Sequence, residues 1–185
     1  YLNFFVAAAP VAMIMLDPTP DDIMSRPPRD TSEGIANPRS IGEWLLFGFT
    51  LFASTLAALL LAPGTPSPTE PSVPVTMAFA VLGLGTVFGA LVMRRSPASG
   101  LEPPILAAVT VLLIPAALTV LAVQWRWLGG VLGTVPLSAD QWIAVLGWSL
   151  VLPAVVELYK LVRRNRGAQE SKPSGGLQNV LPERV

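Results

Sequence analysis

Few side chains in this sequence can perform acid–base or nucleophilic chemistry. It contains no cysteine and no histidine, so cysteine nucleophiles, histidine bases, disulfides and His/Cys metal sites are excluded within these residues. Asp21 and Asp22 form an adjacent carboxylate pair, but a proline-rich loop supplies no burial that would separate their pKa values. We expect this pair to cap a helix or to contact a soluble domain.

A glycine series at Gly83, Gly85 and Gly89 superficially resembles a nucleotide-binding loop. It lies within an apolar segment, has no lysine and follows no strand pattern, which argues against phosphate binding. Gly85 and Gly89 are spaced by four residues, the spacing of small residues that let membrane helices approach closely. The sequence therefore predicts helix packing at these glycines.

The composition is that of a membrane protein. Hydrophobic residues make up 52% of the chain and charged residues 13%, with a mean hydropathy of +0.58, whereas a soluble domain carries about a quarter charged residues. The formal net charge is zero, and the dense basic run is Arg163-Arg164-Asn165-Arg166. Such a run beside an apolar helix is typical of membrane orientation, so we expect the lipid bilayer, and no nucleic acid, as a partner.

Apolar segments alternate with Pro-, Gly- and Ser-rich breakers along the chain. Four segments of spanning length, about 28 to 33 Å as helices, are predicted at residues 41–62, 75–93, 105–123 and 141–162. Residues 1–16 fall short of a full span, and Pro10 interrupts their helix. The predicted fold is all-α, a polytopic helical membrane protein with a partial first helix and four transmembrane helices.

This pattern divides the chain into four regions. They are a partial transmembrane helix (1–16), a cytoplasmic proline-rich loop (17–40), a four-helix transmembrane bundle (41–166) and a cytoplasmic tail (167–185) predicted to be disordered. Because the chain begins at Tyr1 without a charged leader, we expect a fragment or a mature piece.

The basic residues predict an orientation. With the 17–40 loop inside, every lysine and arginine except Arg126 lies on the cytoplasmic side, as the positive-inside rule requires. We therefore predict a multi-pass protein of the cell (inner) membrane with a cytoplasmic C-terminus. Tryptophans near the predicted boundaries are expected to be interfacial anchors: Trp125, Trp127 and Trp142 outside and Trp44 inside.

Three short motifs carry a resemblance to a known family. Ile23-Met24-Ser25-Arg26-Pro27-Pro28-Arg29 matches I-M-x-R-P-P-R, which follows the sixth transmembrane helix of P-type cation-transporting ATPases. Thr76-Met77-Ala78 with Val81-Leu82 is similar to the opening of their eighth helix, and Gln141-Trp142 with Pro153, Glu157 and Lys160 to their tenth. In this order the motifs resemble the C-terminal transmembrane region of a calcium-pump-like, P2-type ATPase.

That resemblance implies candidate cation ligands. The family's sixth helix can read N-x-x-T-D-G-x-P-A, in which the Asn, Thr and Asp supply oxygens; here Asn3 and Pro10 are kept, but Val6 and Ala7 stand for the Thr and Asp. Thr86 lies where such pumps can carry a ligand glutamate. Asn3 and Thr86 are thus the candidate cation-binding residues. The alternatives are an amide bonded to a neighbouring helix for Asn3 and a hydroxyl bonded to its own helix for Thr86.

The resemblance also implies a function. The chain is expected to be the C-terminal membrane domain of an ATP-driven cation transporter, supporting the ion pathway and coupling it to the cytoplasmic phosphorylation domain through a loop with Asp21, Asp22, Arg26 and Arg29. Upstream transmembrane and ATPase domains, the transported cation, and Mg and ATP in the full-length pump are implied. No D-K-T-G-T or T-G-E-S motif occurs, so the chain alone has no catalytic residues. The alternative is a non-catalytic, truncated or diverged membrane scaffold or partner protein.

Overall fold

The computed structural model describes residues 1–6, 8, 11, 37–67, 69–92 and 103–170. Every regular element in these ranges is helical. A π-helical segment spans Leu2–Val6, followed by α1 (Pro38–Leu61), α2 (Val73–Val92), α3 (Pro103–Gln124), α4 (Arg126–Leu132), α5 (Ala139–Ser149) and α6 (Val151–Glu170). The predicted all-α membrane fold is confirmed.

The spans by length and hydropathy are Ser40–Leu61, Val73–Val92 and Ala139–Val162, and a fourth span arises if a bent pair of helices is counted as one. That pair joins Leu112–Gln124 to Arg126–Leu132. Each predicted segment therefore has a helical counterpart in the described part of the chain, with ends that differ by a few residues.

Capping residues explain where α1 begins and ends. The Asn37 side-chain oxygen accepts a hydrogen bond from the backbone N–H of Ser40 at 2.7 Å, which satisfies one of the unpaired donors of the first turn. Pro38 follows at the first helical position, where its missing N–H costs nothing. At the other end Ala62 is extended, as expected for a residue before Pro63.

Helix α2 is the centre of the bundle. Its spanning window is 56% buried, against 11% for that of α1. Glycines permit this central position. A Cβ on Gly85 would lie 2.8 Å from Leu51 of α1, and one on Gly89 would lie 2.7 Å from Leu152 of α6. The close approach predicted at Gly85 and Gly89 is confirmed, and the two glycines receive different helices.

The core consists of two clusters along α2. The larger joins α2 to α1, α3 and the last span; its buried members are Ala58, Met77, Ala80, Val81, Leu84, Val123, Leu137 and Val145. The smaller joins α2 to α3 and the π-helical segment; its buried members are Val6, Val87, Ala90 and Leu112.

Two local features differ from the sequence expectation. Residues 124–140 were expected to form only a breaker loop, whereas Arg126–Leu132 form α4, bent by 86° from the end of α3. The last span is divided at Leu150, because Pro153 has no N–H to donate to the carbonyl oxygen of Ser149. Apolar residues favour the formation of α4, and the packing and hydrogen bonds described below hold its bend.

Candidate functional site

The π-helical segment Leu2–Val6 packs between α2 and α3. The Tyr1 hydroxyl donates a hydrogen bond to the Leu118 carbonyl oxygen of α3 at 2.9 Å. The Tyr1 ring lies 5.2 Å from the Phe5 ring and 6.2 Å from the Phe79 ring, centroid to centroid. A π-helical turn changes the backbone hydrogen-bond register and is frequent at functional sites, so this segment is the candidate site for ligand binding by backbone carbonyl oxygens.

Gly83 of α2 allows this close packing. A Cβ at Gly83 would lie 2.9 Å from Thr119 Cγ2, 3.0 Å from Thr119 Oγ1 and 3.3 Å from Leu2 Cδ2. Thr119 is held in place because its hydroxyl donates to the Pro115 carbonyl oxygen at 2.9 Å. A single position on α2 thus sets the distance to both α3 and the π-helical segment.

Asn3 and Val6 have opposite environments within that segment. The Asn3 side chain is exposed, whereas Val6 is 1% exposed and packs with Val87, Ala90 and Leu112. Val6 occupies a position where the resemblance places an oxygen donor. The cluster around Val6 is made of apolar side chains, and such an environment suits valine better than an oxygen donor.

Thr86 lies on α2, and its hydroxyl donates to the Leu82 carbonyl oxygen at 2.7 Å. This is the bond to its own helix that was the alternative to ligation. The hydroxyl oxygen keeps its lone pairs, so the bond leaves its ability to ligate a cation intact. Among the described residues, no hydrogen bond joins Asn3 to Thr86, and cation binding by these two residues stays a prediction.

Neutral oxygens dominate the buried polar groups. In the described ranges no group of three or more His, Cys, Asp or Glu residues could hold a metal ion. The buried polar side chains are hydroxyls: Thr50, Ser54, Thr76, Thr119, Thr134 and Ser149. Hard divalent cations prefer several oxygens that include carboxylates, so the described residues alone do not provide a divalent site.

The Lys160 end of the bundle, where α2 ends and Glu43, Tyr159 and Lys160 lie, holds a polar cluster. Lys160 Nζ donates to Glu157 Oε1 at 2.8 Å, an i,i+3 ion pair that the spacing of these residues on a helix predicts. Lys160 Nζ also donates to the Val92 carbonyl oxygen at the C-terminus of α2, and the Tyr159 hydroxyl donates to Glu43 Oε1 at 2.9 Å. The sequence did not indicate these last two bonds, which join helices distant in the chain.

The opposite end, the Trp125 end, is held by loop hydrogen bonds. The Thr134 hydroxyl donates to the Ala122 carbonyl oxygen at 2.6 Å, and the Val135 N–H donates to Thr76 Oγ1 at 3.0 Å. Gln124 Nε2 donates to the Leu137 carbonyl oxygen at 3.0 Å. These bonds fasten the segment after α4 to the ends of α2 and α3.

The predicted boundary tryptophans divide into two groups. Trp44, Trp125 and Trp127 are exposed, whereas Trp142 is partly buried against the larger core cluster. Their role as interfacial anchors stays a prediction. Pro10 and the coupling-loop residues Asp21, Asp22, Arg26 and Arg29 lie outside the described residues.

Comparison with known proteins identifies the family of this arrangement. A search of curated protein sequences finds no match. The family model described as "Cation transporting ATPase, C-terminus" matches residues 1–162, from the π-helical segment into α6. The match covers most of the chain and both core clusters, so this chain belongs to the family of C-terminal membrane regions of cation-transporting ATPases.

Proposed function

We propose that this chain supports the ion pathway of a P-type cation pump and couples that pathway to a cytoplasmic phosphorylation domain. The observation that carries the proposal is the π-helical segment Leu2–Val6, held against α2 and α3. Irregular backbone at membrane depth is tolerated where protein buries it or where it lines a cavity. In transporters such interruptions present carbonyl oxygens to ions.

The bracing of this segment has a mechanical consequence. Tyr1 donates a hydrogen bond to α3, and Leu2 packs against Gly83 of α2. A shift of the π-helical segment must therefore displace both helices. Packed interfaces have discrete arrangements and do not deform continuously. In this proposal α2 and α3 are the support against which the pathway segment changes position during the pump cycle.

Coupling is assigned to residues 17–40, the stretch of sequence that leads into α1. The support for this role is the match of Arg26 and Arg29 to the family motif and the position of Asp21 and Asp22 in the same loop. In the full-length pump, Mg and ATP bind the upstream cytoplasmic domains, and this loop contacts the phosphorylation domain. The C-terminus then lies in the cytoplasm and the protein in the cell (inner) membrane.

The cation site of this chain differs from that of calcium pumps. Val6 is buried among apolar side chains, and replacing a carboxylate or hydroxyl ligand by a methyl group removes coordination that the membrane interior does not replace. We infer a cation site that depends on neutral oxygens here and on ligands from upstream helices. A monovalent cation suits that donor set better than calcium.

Gly83→Ala tests the proposal in the full-length pump. The added methyl meets Thr119, a χ1-restricted residue, so we expect a cost of about 1–3 kcal/mol and slower cation-dependent ATP hydrolysis. Thr119→Ser in the same chain removes Cγ2 and should restore part of the rate. Gly48→Ala is the matched control, since nothing lies within 4 Å of a Cβ there. Equal ATPase rates in the Gly83 and Gly48 variants would contradict the proposed support.

A non-catalytic scaffold is the second candidate, and the apolar surroundings of Val6 favour it. The two functions differ in one measurement. A pump forms an acid-stable aspartyl phosphate from ATP when the full-length protein is present in membranes. A scaffold forms none under any cation tested, although it inserts and folds.

A further inference from the structure

The geometry points to α4 as an interfacial helix that lies along the outer leaflet and binds anionic phospholipid headgroups; this we propose from its orientation, its exposed faces and its charge. Helix α3 has 22 residues, enough to cross a bilayer, and α4 is bent by 86° from its last part, Leu112–Gln124. If α3 crosses the bilayer, α4 runs close to the membrane plane. The inference depends on the membrane fold and, for the choice of leaflet, on the predicted orientation, and not on the proposed pump activity.

Backbone conformations and specific contacts define the bend between α3 and α4. Trp125 is extended between the two helices, and Gly133 ends α4 in the left-handed conformation at φ 70°. Gly129 is buried, and a Cβ at this position would lie 3.1 Å from the backbone oxygen of Thr134. The Thr134 hydroxyl in turn donates a hydrogen bond to the Ala122 carbonyl oxygen of α3. The bend between α3 and α4 is therefore fixed by packing and hydrogen bonds on its inner side.

The outer side of α4 has two distinct faces. Trp127 and Val131 are four residues apart and both 69% exposed, so they share one face. Arg126 and Gly130 are also exposed and share a second face, turned by about 100° from the first. One face is apolar and the other carries a guanidinium, the division that suits a helix lying between acyl chains and headgroups.

The apolar face continues the lipid-facing surface of α3. Ile114 and Leu121 are exposed and seven residues apart, so they share one stripe of α3. Trp125, also exposed, follows directly after the helix. The Trp125 ring lies 6.1 Å from the Trp127 ring. In this proposal the exposed stripe of α3 faces lipid, and Trp127 and Val131 extend that contact to the bilayer boundary, where tryptophan is favoured.

Charge selects the headgroup. Among the described residues, Arg126 has no hydrogen-bond or ion-pair partner within the protein, and it is exposed between the two tryptophans. A guanidinium at headgroup depth pairs with phosphate oxygens through its fork of donors. An anionic phospholipid adds net negative charge at this position, so we expect it to be preferred over a zwitterionic lipid.

Nitroxide depth measurement tests the placement. This chain contains no cysteine, so single cysteines are introduced at Val131 and Gly130 in a cysteine-free full-length protein, which is labelled and reconstituted in vesicles. Controls are Leu113, exposed on α3, and Thr69, exposed in the loop between α1 and α2. Accessibility to oxygen relative to a nickel chelate should place residue 131 between the two controls and deeper than residue 130. A value at 131 equal to the aqueous control, or protection from both reagents, would overturn the proposal in favour of solvent or of a protein partner.

Lipid selectivity tests the role of Arg126. Tryptophan fluorescence is quenched with brominated phosphatidylglycerol or with brominated phosphatidylcholine at the same mole fraction. Quenching by phosphatidylglycerol should be greater in the native protein, and Arg126→Gln should abolish that difference while residue 131 keeps its depth. Trp44, Trp142 and Trp148 contribute equally to both proteins. Equal quenching by the two lipids in the native protein would contradict headgroup selection.

Discussion

At the Lys160 end, the ammonium group of Lys160 donates hydrogen bonds to two helices. It donates to Glu157 on its own helix and to the Val92 carbonyl oxygen at the C-terminus of α2. The last carbonyl groups of a helix lack intrahelical donors, and a lysine close to them satisfies one and complements the helix dipole. The bond to Val92 therefore contributes more to stability than the half-exposed ion pair with Glu157.

This ranking gives a prediction at the residue scale. Lys160→Met should lower the free energy of unfolding by about 1–2 kcal/mol, because it leaves the Val92 carbonyl without its donor. Glu157→Gln removes only an exposed i,i+3 pair and should cost about 0.2–1 kcal/mol. Thermal unfolding of both variants in one detergent measures the difference. Equal destabilisation would mean that the bond to Val92 is not the important contact.

Val6 provides a second prediction at this scale. Val6→Thr alone places a hydroxyl in the apolar cluster with Val87 and Leu112, so we expect a stability loss of about 1–3 kcal/mol and no calcium activation. With Ala7→Asp added, a carboxylate and a hydroxyl are present together, and calcium affinity of the full-length pump should rise. Calcium-dependent ATPase titration in a matched lipid makes the comparison. Strong activation of the unmodified pump at micromolar calcium would show that positions 6 and 7 are not required.

At the scale of elements, α2 organises the bundle because each of its glycines receives a different neighbour. Gly83 faces Thr119 and Leu2, Gly85 faces Leu51, and Gly89 faces Leu152. Dispersion and close packing hold membrane helices together where burial from water does not separate them. The spacing of these glycines thus determines which helices surround α2.

The neighbours differ in stiffness, and this predicts an order of effects. Ala at Gly85 or Gly89 meets the far end of a leucine side chain, which can turn away, and alanine favours the helix by about 1 kcal/mol. Ala at Gly83 meets a threonine with a restricted χ1. We expect Gly85→Ala and Gly89→Ala to change the unfolding free energy by less than about 1 kcal/mol and Gly83→Ala to lower it by more. Thermal melting of the three variants tests this, and a largest loss at Gly89 would reverse the argument.

On the scale of the whole molecule, most polar contacts between the described helices lie at the two ends of the bundle, and hydroxyls bonded to their own helices lie between those ends. The Lys160 end joins α1, α2 and α6, and the Trp125 end joins α2, α3 and the loop before α5. Bonds at both ends fix the helix ends against sliding. Such an arrangement suits a support that holds its shape while an attached segment moves.

Topology is the prediction at this scale. The positive-inside distribution predicts that the 17–40 loop lies in the cytoplasm and the loop between α1 and α2 outside. Cysteine at Thr65 should react with an impermeant maleimide added to intact cells, and cysteine at Ser32 should react only after the membrane is opened. The chain has no cysteine of its own to compete for the reagent. Reaction at position 32 from outside without reaction at 65 would invert the orientation.

The sequence by itself determined the membrane class, the approximate spans, the Glu157–Lys160 pair and the close packing at Gly85 and Gly89. These properties depend on the length of apolar runs and on spacings within one helix, and both are local along the chain. It also contained the motifs of the family, although the loop that carries the strongest one lies outside the described residues.

Only the tertiary structure decided how those elements meet. Tyr1 bonds to a carbonyl 117 residues away, Tyr159 to a carboxylate 116 residues away and Lys160 to a carbonyl 68 residues away. The bend of α4 depends on Thr134 reaching back to Ala122, and the burial of Val6 depends on α2 and α3. No periodicity encodes these contacts, because each is selected by the packing of helices whose apolar faces are nearly interchangeable until they are assembled together.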